Sequence, residues 1–404
     1  MTTFSVRFLG CKVSYSDADA LRERLLADGH EEAPAGEAQV ALVNTCCVTR
    51  EALGKSRQAV AKAARNHERV YVTGCGANLE GAFAGTPESV VVIDRPPEQA
   101  GELLAGLVGR SGRVNLQSRS KRVRAFVTIQ DGCSFRCSYC VVPLVRGPAR
   151  SRPAEAVLAE IRSKIENGHK EIVLSGINLG CYRDRAGGRS LAGIVREAGE
   201  LPGLNRLRLS SIEVNHVGPE LIAALRETPA ACRHLHVPLQ SGDDEILRSM
   251  KRHYDAATFL RRVEALEDFN LSTDVIVGFP GEDEAAFERT LTVLERAGIT
   301  KTHVFPYSAR PGTDTENDDT VPAKVKKERA SRMRIASENA CLAFWRGKIG
   351  KEETVLIDRP NRGYGDDYSP WTVSGPLGEL VAARAESVTA DGVIGSRIAS
   401  RGPR

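Results

Sequence analysis

The segment Phe126-Val127-Thr128-Ile129-Gln130-Asp131-Gly132-Cys133-Ser134-Phe135-Arg136-Cys137-Ser138-Tyr139-Cys140 runs from a β-rich stretch through a glycine into three cysteines spaced Cys-x3-Cys-x2-Cys. The chain has ten cysteines, at 11, 46, 47, 75, 133, 137, 140, 181, 232 and 341, and three of them within eight residues ask for a joint role. Three thiolates can hold a cubane iron-sulfur cluster on three of its irons, leaving the fourth open to chelate a substrate. A closed zinc site wants four ligands, usually as paired knuckles. No second pair is present, although Cys181 or Cys232 could supply a fourth thiol. The triplet directly follows a strand, and the C-terminal ends of strands are where α/β barrels place their sites.

Working outward, strands are expected at 126–130, 172–175, 206–211, 234–239, 273–277 and 303–306, each followed by a helical segment or a loop leading to one. Pro153 suits a helix's first turn, and Val157, Leu158, Ile161 and Ile165 repeat on one face. Six β/α units are too few to close an eight-stranded barrel, so a partial (β/α)6 barrel is expected, ended by a basic helix over 324–345. Before it, β-rich runs at 4–9, 40–43, 70–73 and 90–93 alternate with helical stretches at 17–28 and 52–65, the pattern of a small parallel α/β sandwich. Cys11, Cys46 and Cys75 each follow one of the first three strands, so the three thiols could converge. Ser111 to Arg124, with Arg113, Arg119, Lys121 and Arg122, reads as a basic linker. After 347, short runs at 354–357, 371–374, 379–385 and 393–398 are punctuated by Gly363, Gly365, Gly375, Gly378 and Gly392. They suggest a small β-barrel of the kind often used on nucleic acid. The resulting division is 1–117, 118–346 and 347–404.

The 404 residues suit two to three domains at about 150 residues each. With 41% hydrophobic and 27% charged residues, collagen-like and wholly disordered chains are excluded. No apolar run approaches the roughly 20 residues that cross a bilayer, and Met1 to Gly10 lacks the pattern of a signal peptide. A cytoplasmic protein with no membrane partner is expected, and in such a reducing compartment metal or redox use of cysteines is favoured over disulfides. A net charge of +4 permits a polyanionic partner without demanding one.

The Cys-x3-Cys-x2-Cys spacing with Tyr139 before the last cysteine, after a barrel's first strand, resembles the radical S-adenosylmethionine superfamily. Continued to Pro143, Arg146-Gly147 and Arg150-Ser151-Arg152, the segment is most similar to the methylthiotransferases. Nearly the whole chain shares the likeness. Leu9-Gly10-Cys11-Lys12-Val13, Val43-Asn44-Thr45-Cys46 and Thr73-Gly74-Cys75 match the three segments that hold that family's second cluster, and the tail resembles its RNA-binding TRAM β-barrel. Within the family, Gly10-Cys11-Lys12-Val13, His236 to Gly242 and His303 to Ser308 look most like enzymes that methylthiolate C2 of N6-threonylcarbamoyladenosine at tRNA position 37. Ser14, where asparagine is usual, and Asp314-Thr315-Glu316, where Pro-Ala is usual, depart from the pattern.

The resemblance implies two [4Fe-4S] clusters, one on Cys133, Cys137 and Cys140 and one on Cys11, Cys46 and Cys75. It further implies S-adenosylmethionine as cofactor, a tRNA anticodon loop as substrate, a reductant such as flavodoxin or ferredoxin, and a sulfur source. By position at strand ends, Ser175, Gly176, Glu213 and Gln240 are candidates for holding S-adenosylmethionine, with Asn178 the nearest polar side chain. Each could equally be a turn, helix-start or loop residue. Arg146, Arg150 and Arg310 are candidates for the threonylcarbamoyl carboxylate, although any could contact phosphate. The basic residues of 324–334, with Arg146, Arg150 and Arg152, could bind phosphates or form a solvated face. Tyr364, Tyr368 and Trp371 could stack on bases or pack in the barrel. Cys47 could replace Cys46, and Cys181, Cys232 and Cys341 read as buried small hydrophobes. The alternatives are modification of isopentenyladenosine or of a ribosomal-protein S12 aspartate and, in another class, a non-catalytic RNA-binding protein with a structural metal.

Overall fold

Residues 1–94, 97–108 and 123–398 are described by the structure, a computed structural model. The linker arginines and lysine at 113, 119, 121 and 122 lie outside the described residues. Contacts divide the chain into two compact units. One contains Met1–Ser120, Asp131–Ala149 and Ser308–Glu316, and the other Lys121–Gln130, Arg150–Tyr307 and Asn317–Arg404.

The first unit is built on strands β1 (Thr3–Phe8), β2 (Glu31–Glu32), β3 (Val40–Thr45), β4 (Arg69–Gly74) and β5 (Val90–Val92), with helices α1 (Lys12–Ala27), α2 (Arg50–Asn66) and α3 (Pro97–Val108). The sheet is parallel in the order β2-β1-β3-β4-β5. All six residues of β3 are buried because both of its faces are covered. Ala41 and Val43 share a core with Ala59, Val60 and Ala63 of α2, while Val40 and Leu42 pack with Leu21 and Leu25 of α1 and Leu104 of α3. Alternation along the strand thus serves two opposite cores. Helix α1 starts at Lys12, earlier than the expected 17, because Cys11 itself occupies its N-cap position with extended backbone.

The second unit holds the six expected strands: β6 (Arg124–Asp131), β8 (Glu171–Gly176), β9 (Arg206–Leu209), β10 (His234–His236), β11 (Asn270–Val277) and β12 (Lys301–Pro306). The two-residue β7 (Arg150–Ser151) adds an edge. They pair as β7-β6-β8-β9 and β10-β11-β12; the isolated bridge Leu207↔Ala231 ties β9 to the segment before β10, and Ser211↔His236 ties the segment after β9 to β10 itself. This is the partial (β/α)6 barrel. Its apolar core runs from Val127 and Ile129 through Ile172, Leu174, Leu207 and Leu235 to Val275 and Val277.

Helix α4 (Val142–Arg146) lies in the first unit. In the second, α5 (Ala154–Glu166), α6 (Leu191–Gly199), α7 (Pro219–Glu227), α8 (Asp244–Ser249), α9 (Ala256–Glu264) and α10 (Glu284–Arg296) connect the strands, and α11 (Ala323–Arg346) closes the set. Three of the basic residues of α11 are committed to ion pairs. Lys326 binds Asp319, Arg329 binds Glu282 at 2.8 Å, and Arg332 binds Glu284 and Glu288.

The tail closes into a five-stranded barrel in the order β13 (Glu352–Arg359), β14 (Arg362–Tyr364), β15 (Pro370–Thr372), β17 (Gly392–Arg397), β16 (Leu380–Thr389). Strand β14 escaped the sequence reading because it is three residues long around Gly363, where a Cβ would lie 2.1 Å from the carbonyl oxygen of Leu356. The expected base-stacking aromatics are used internally. Trp371 is buried in this barrel's core, and Tyr364 and Tyr368 stack on each other at 4.8 Å. Arg124 lies over Tyr364 at 4.9 Å and Arg208 over Tyr368 at 4.6 Å. The tail barrel is held at the N-terminal ends of the parallel strands: Arg124 pairs with Asp358 at 2.8 Å, Arg206 donates to the carbonyl of Tyr364 at 2.8 Å, and Asn270 to that of Asp367 at 2.7 Å. No described helix is long and apolar enough to cross a membrane.

Candidate metal centres and barrel mouth

Both cysteine triads belong to the first unit. The N-terminal triad is assembled by loops that leave the C-terminal ends of β1, β3 and β4. Gly10 has φ +125°, and a Cβ there would stand 3.2 Å from the Cys46 Cβ and 2.7 Å from Ser14 Oγ, so only glycine lets the first loop close onto the second. Gly74, at φ +87°, would place a Cβ 2.6 Å from Asn44 Oδ1, which brings the third loop in the same way. Ser56 fastens Cys46 twice, accepting from its N–H at 3.0 Å and donating to its carbonyl at 2.9 Å. Cys11 is exposed, whereas Cys46 and Cys75 are buried. Burial raises the thiol pKa of Cys46, and it pushes Cys75 up to about 12 against the pull of Arg146. Cys11 and Cys46 act electrostatically on Cys75, as expected of three thiols in one neighbourhood. Cys47 donates its S–H to the carbonyl of Cys75 at 3.3 Å, which holds it in a structural contact.

The cysteine loop is folded by backbone contacts. Gly132, at φ +68°, would put a Cβ 2.1 Å from the Pro148 carbonyl, and Cys133 N–H donates to Gly147 at 3.0 Å. Phe135 N–H donates to Cys133 Sγ at 3.4 Å, and Cys140 N–H to the Cys137 carbonyl at 3.1 Å. All three cysteines are half-buried. The Asp314-Thr315-Glu316 departure has a local use: the N–H and hydroxyl of Thr315 both donate to the carbonyl of Ser138, between Cys137 and Cys140.

Arg146 is corrected from its expected place beside a substrate carboxylate. It is buried, paired with Asp17 at 2.7 Å and Asp131 at 2.9 Å, and its Nε donates to Cys75 Sγ at 3.0 Å. Burial opposes its charge, but Cys75, Asp17 and Asp131 outweigh that and hold it charged. A helix that directly follows the cysteine loop thereby touches a thiol of the other triad. Sequence spacing could not show this, since Arg146 and Cys75 are 71 positions apart. Arg310 is likewise buried, bonded to Ser308 Oγ at 2.7 Å, and its charge bears on Cys46 and Cys47 instead of on an open surface.

Among the described residues no three His, Cys, Asp or Glu side chains form a set that could hold a single metal ion. A cubane takes each thiolate on a different iron, so its ligand triangle is wider than that of one ion. The donors present, three thiols per triad with a guanidinium N–H aimed at one sulfur, have the chemistry that such a cluster uses.

In the second unit the loops after the strands form the barrel mouth. Ser175 is fully buried and bonded to Thr128 Oγ1 at 3.0 Å, so its hydroxyl serves the sheet. Gly176 lies against Gln130, whose Oε1 would be 3.0 Å from a Cβ and accepts from Asn178 N–H at 2.7 Å. Glu213 begins a 3-10 turn and is ion-paired with Arg252. Gln240 adopts φ 65° just beyond β10 and bridges to Val275. Arg150 is half-buried in β7, and Arg152 pairs with Glu160 at 2.7 Å. Cys232 and Cys341 are buried as expected. Cys181 is not: it is half-exposed, with its Sγ 3.3 Å from His216 Nε2.

A (β/α)6 barrel with a three-cysteine loop after its first strand defines a radical S-adenosylmethionine protein, and the Radical SAM superfamily model matches residues 127–294. The model described as Uncharacterized protein family UPF0004 matches residues 3–93. The threonylcarbamoyladenosine tRNA methylthiotransferase MtaB of Thermotoga maritima is 34% identical, covering 98% of this chain and 97% of its own length. That of Chlamydia pneumoniae is 34% identical over 97% of both chains. A tRNA-2-methylthio-N(6)-dimethylallyladenosine synthase of Nitratidesulfovibrio vulgaris is 34% identical over 94% of this chain and 91% of its own. Among solved structures, the radical S-adenosylmethionine methyltransferase TsrM of Kitasatospora setae shares the fold, with TM-score 0.60 at 17% identity over 78% of this chain and 75% of that one. The chain belongs to the radical S-adenosylmethionine tRNA methylthiotransferase family.

Proposed function

We propose that this protein converts N6-threonylcarbamoyladenosine at position 37 of tRNA to its 2-methylthio derivative. The observation that carries the reading is the near full-length similarity to threonylcarbamoyladenosine tRNA methylthiotransferases, together with two complete cysteine triads. Cys133, Cys137 and Cys140 would hold one [4Fe-4S] cluster and Cys11, Cys46 and Cys75 the other. When bound, the first cluster with S-adenosylmethionine supplies a 5′-deoxyadenosyl radical, and the second supplies sulfur. Radical chemistry suits the target because an aryl C–H bond has no acidic proton for a base to remove.

The chain's own residues prepare this site. Gly10 and Gly74 let three loops meet, Thr315 fixes the carbonyl between two loop cysteines, and Arg146 holds charge against the Cys75 sulfur. At the barrel mouth Gly176 and Gln240 remain the candidates for S-adenosylmethionine, through backbone and amide groups respectively. Arg150 remains the candidate for the threonylcarbamoyl carboxylate. A site built to pair that carboxylate would reject an isopentenyl group, which lacks it, far more strongly than an apolar pocket rejects a small variation. The tail barrel would contribute tRNA affinity through exposed Arg359, Arg362 and Arg397 in place of aromatics already engaged. A reductant such as flavodoxin or ferredoxin and a sulfur donor complete the cycle, which takes place in the cytoplasm where tRNA resides.

The test is mass spectrometry of tRNA nucleosides from cells with and without the gene. The 2-methylthio-N6-threonylcarbamoyladenosine signal should vanish on deletion and return with the wild-type chain but not with Cys140→Ala. Its persistence in the deletion strain would refute the substrate.

A further inference from the structure

The turns Leu179–Cys181 and Val214–His216, which follow β8 and β9, bring together a thiol and an imidazole that the proposed reaction does not use. Cys181 Sγ lies 3.3 Å from His216 Nε2. The approach depends on Gly180, where a Cβ would stand 2.4 to 2.6 Å from three atoms of His216. The pair lines a cavity of about 350 Å³ whose wall also includes Arg183, Ser190, Leu191 and Glu220. That volume suits a small molecule. Arg183 and Glu220 put one charge of each sign on its wall, Glu220 being oriented by Ser190 Oγ at 2.9 Å.

Of the four cysteines outside the two triads, Cys47, Cys232 and Cys341 are buried and only Cys181 is half-exposed. Burial raises the thiol pKa of each of those three and makes them poor nucleophiles. Burial also lowers the His216 pKa, so the neutral imidazole is available to accept a proton.

We propose that Cys181, with His216 as its base, is a thiol-disulfide exchange site for zwitterionic low-molecular-weight disulfides. The Cys181 proton passes to His216 Nε2, and Sγ attacks one sulfur of the small disulfide. The new Sγ–S bond forms as the old S–S bond breaks. Cys181 sulfur is oxidised, the departing sulfur is reduced, and the leaving thiolate takes the proton back from the imidazolium. The product is a mixed disulfide occupying the cavity beside the β8 and β9 turns, reversible by any small thiol.

The experiment treats the anaerobically reconstituted full-length enzyme with glutathione disulfide and follows each cysteine by peptide mass spectrometry. Cys181 should be modified first and released by dithiothreitol. His216→Gln should slow it at least about tenfold, because the thiolate fraction governs the attack. Gly180→Ala, which retains both reacting groups but displaces the imidazole, should slow it as well. Iron content, read in parallel, verifies that each variant is folded, and the order of reaction in the wild-type chain needs no variant at all. Equal or faster modification of Cys47, Cys232 or Cys341, or a Cys181 rate indifferent to a folded His216 or Gly180 variant, would overturn the proposal.

Discussion

Two arginines, one in each unit, are buried against carboxylates in different company. Arg208 is 1% exposed and meets Glu171 at 3.0 Å, the carbonyl of Asp366 at 3.1 Å and the ring of Tyr368. It ties β8 and β9 to the tail barrel. Arg146 is 8% exposed and meets two carboxylates, but its third partner is the sulfur of Cys75. A buried guanidinium by itself therefore marks no site, since both satisfy the same need for charge pairing. What separates them is the hydrogen bond from Arg146 to a triad sulfur; the Cys232 thiol acts on Arg208 electrostatically.

The strongest way to break the comparison is to remove the thiols. Replacing Cys133, Cys137 and Cys140 with Ala should halve the iron bound after anaerobic reconstitution and abolish 5′-deoxyadenosine formation. Replacing Cys11, Cys46 and Cys75 should also halve the iron, yet leave cleavage of S-adenosylmethionine detectable by chromatography. Full iron in the second variant would leave Arg146 with no cluster to serve.

Arg146→Ala and Arg208→Ala come next. Each removes a buried guanidinium that pairs with buried carboxylate, at a cost of about 3–5 kcal/mol measurable by denaturant unfolding. Only Arg146→Ala should also lower the iron held by the N-terminal triad, and equal iron in the two variants would erase the distinction drawn here.

A smaller effect is expected in acid. Burial alone would raise the Glu171 pKa, but Arg208, Arg124 and Arg206 outweigh it and hold the carboxyl below its ordinary 4.5. Its contribution to stability is then complete above about pH 4.5 and lost as pH falls through the lower folded-state value. Glu171→Gln should flatten that part of the acid unfolding curve, and an unchanged curve would show that the pair titrates elsewhere.

The smallest change is Tyr368→Phe. Its hydroxyl accepts from Arg124 at 3.2 Å, and loss of one such bond should cost about 0.5–1.5 kcal/mol, visible in thermal unfolding with iron content untouched.

The cysteine loop was legible in the sequence because its three thiols lie within eight residues, where spacing alone constrains them. The barrel strands were legible for a related reason: each is a short apolar run with its own turn signals, and local pattern sets local structure. The N-terminal triad stood at the margin. Its cysteines could be seen to follow strands, and parallel pairing of β1, β3 and β4 supplied the rest.

Roles that depend on contacts between distant segments could not be read. Arg146, Arg310, Tyr364 and Tyr368 all looked available for RNA, because a charged or aromatic residue in a loop has the same local signature whether it faces solvent or a buried partner. Thr315 looked like a mere departure until its bonds to Ser138 appeared. The sequence by itself determined most of the strands and helices and the chemistry of the thiols, through short-range sterics, periodicity and spacing. The tertiary structure alone decided which polar groups are spent inside the fold, since burying a charge is tolerable only where a partner from elsewhere in the chain meets it.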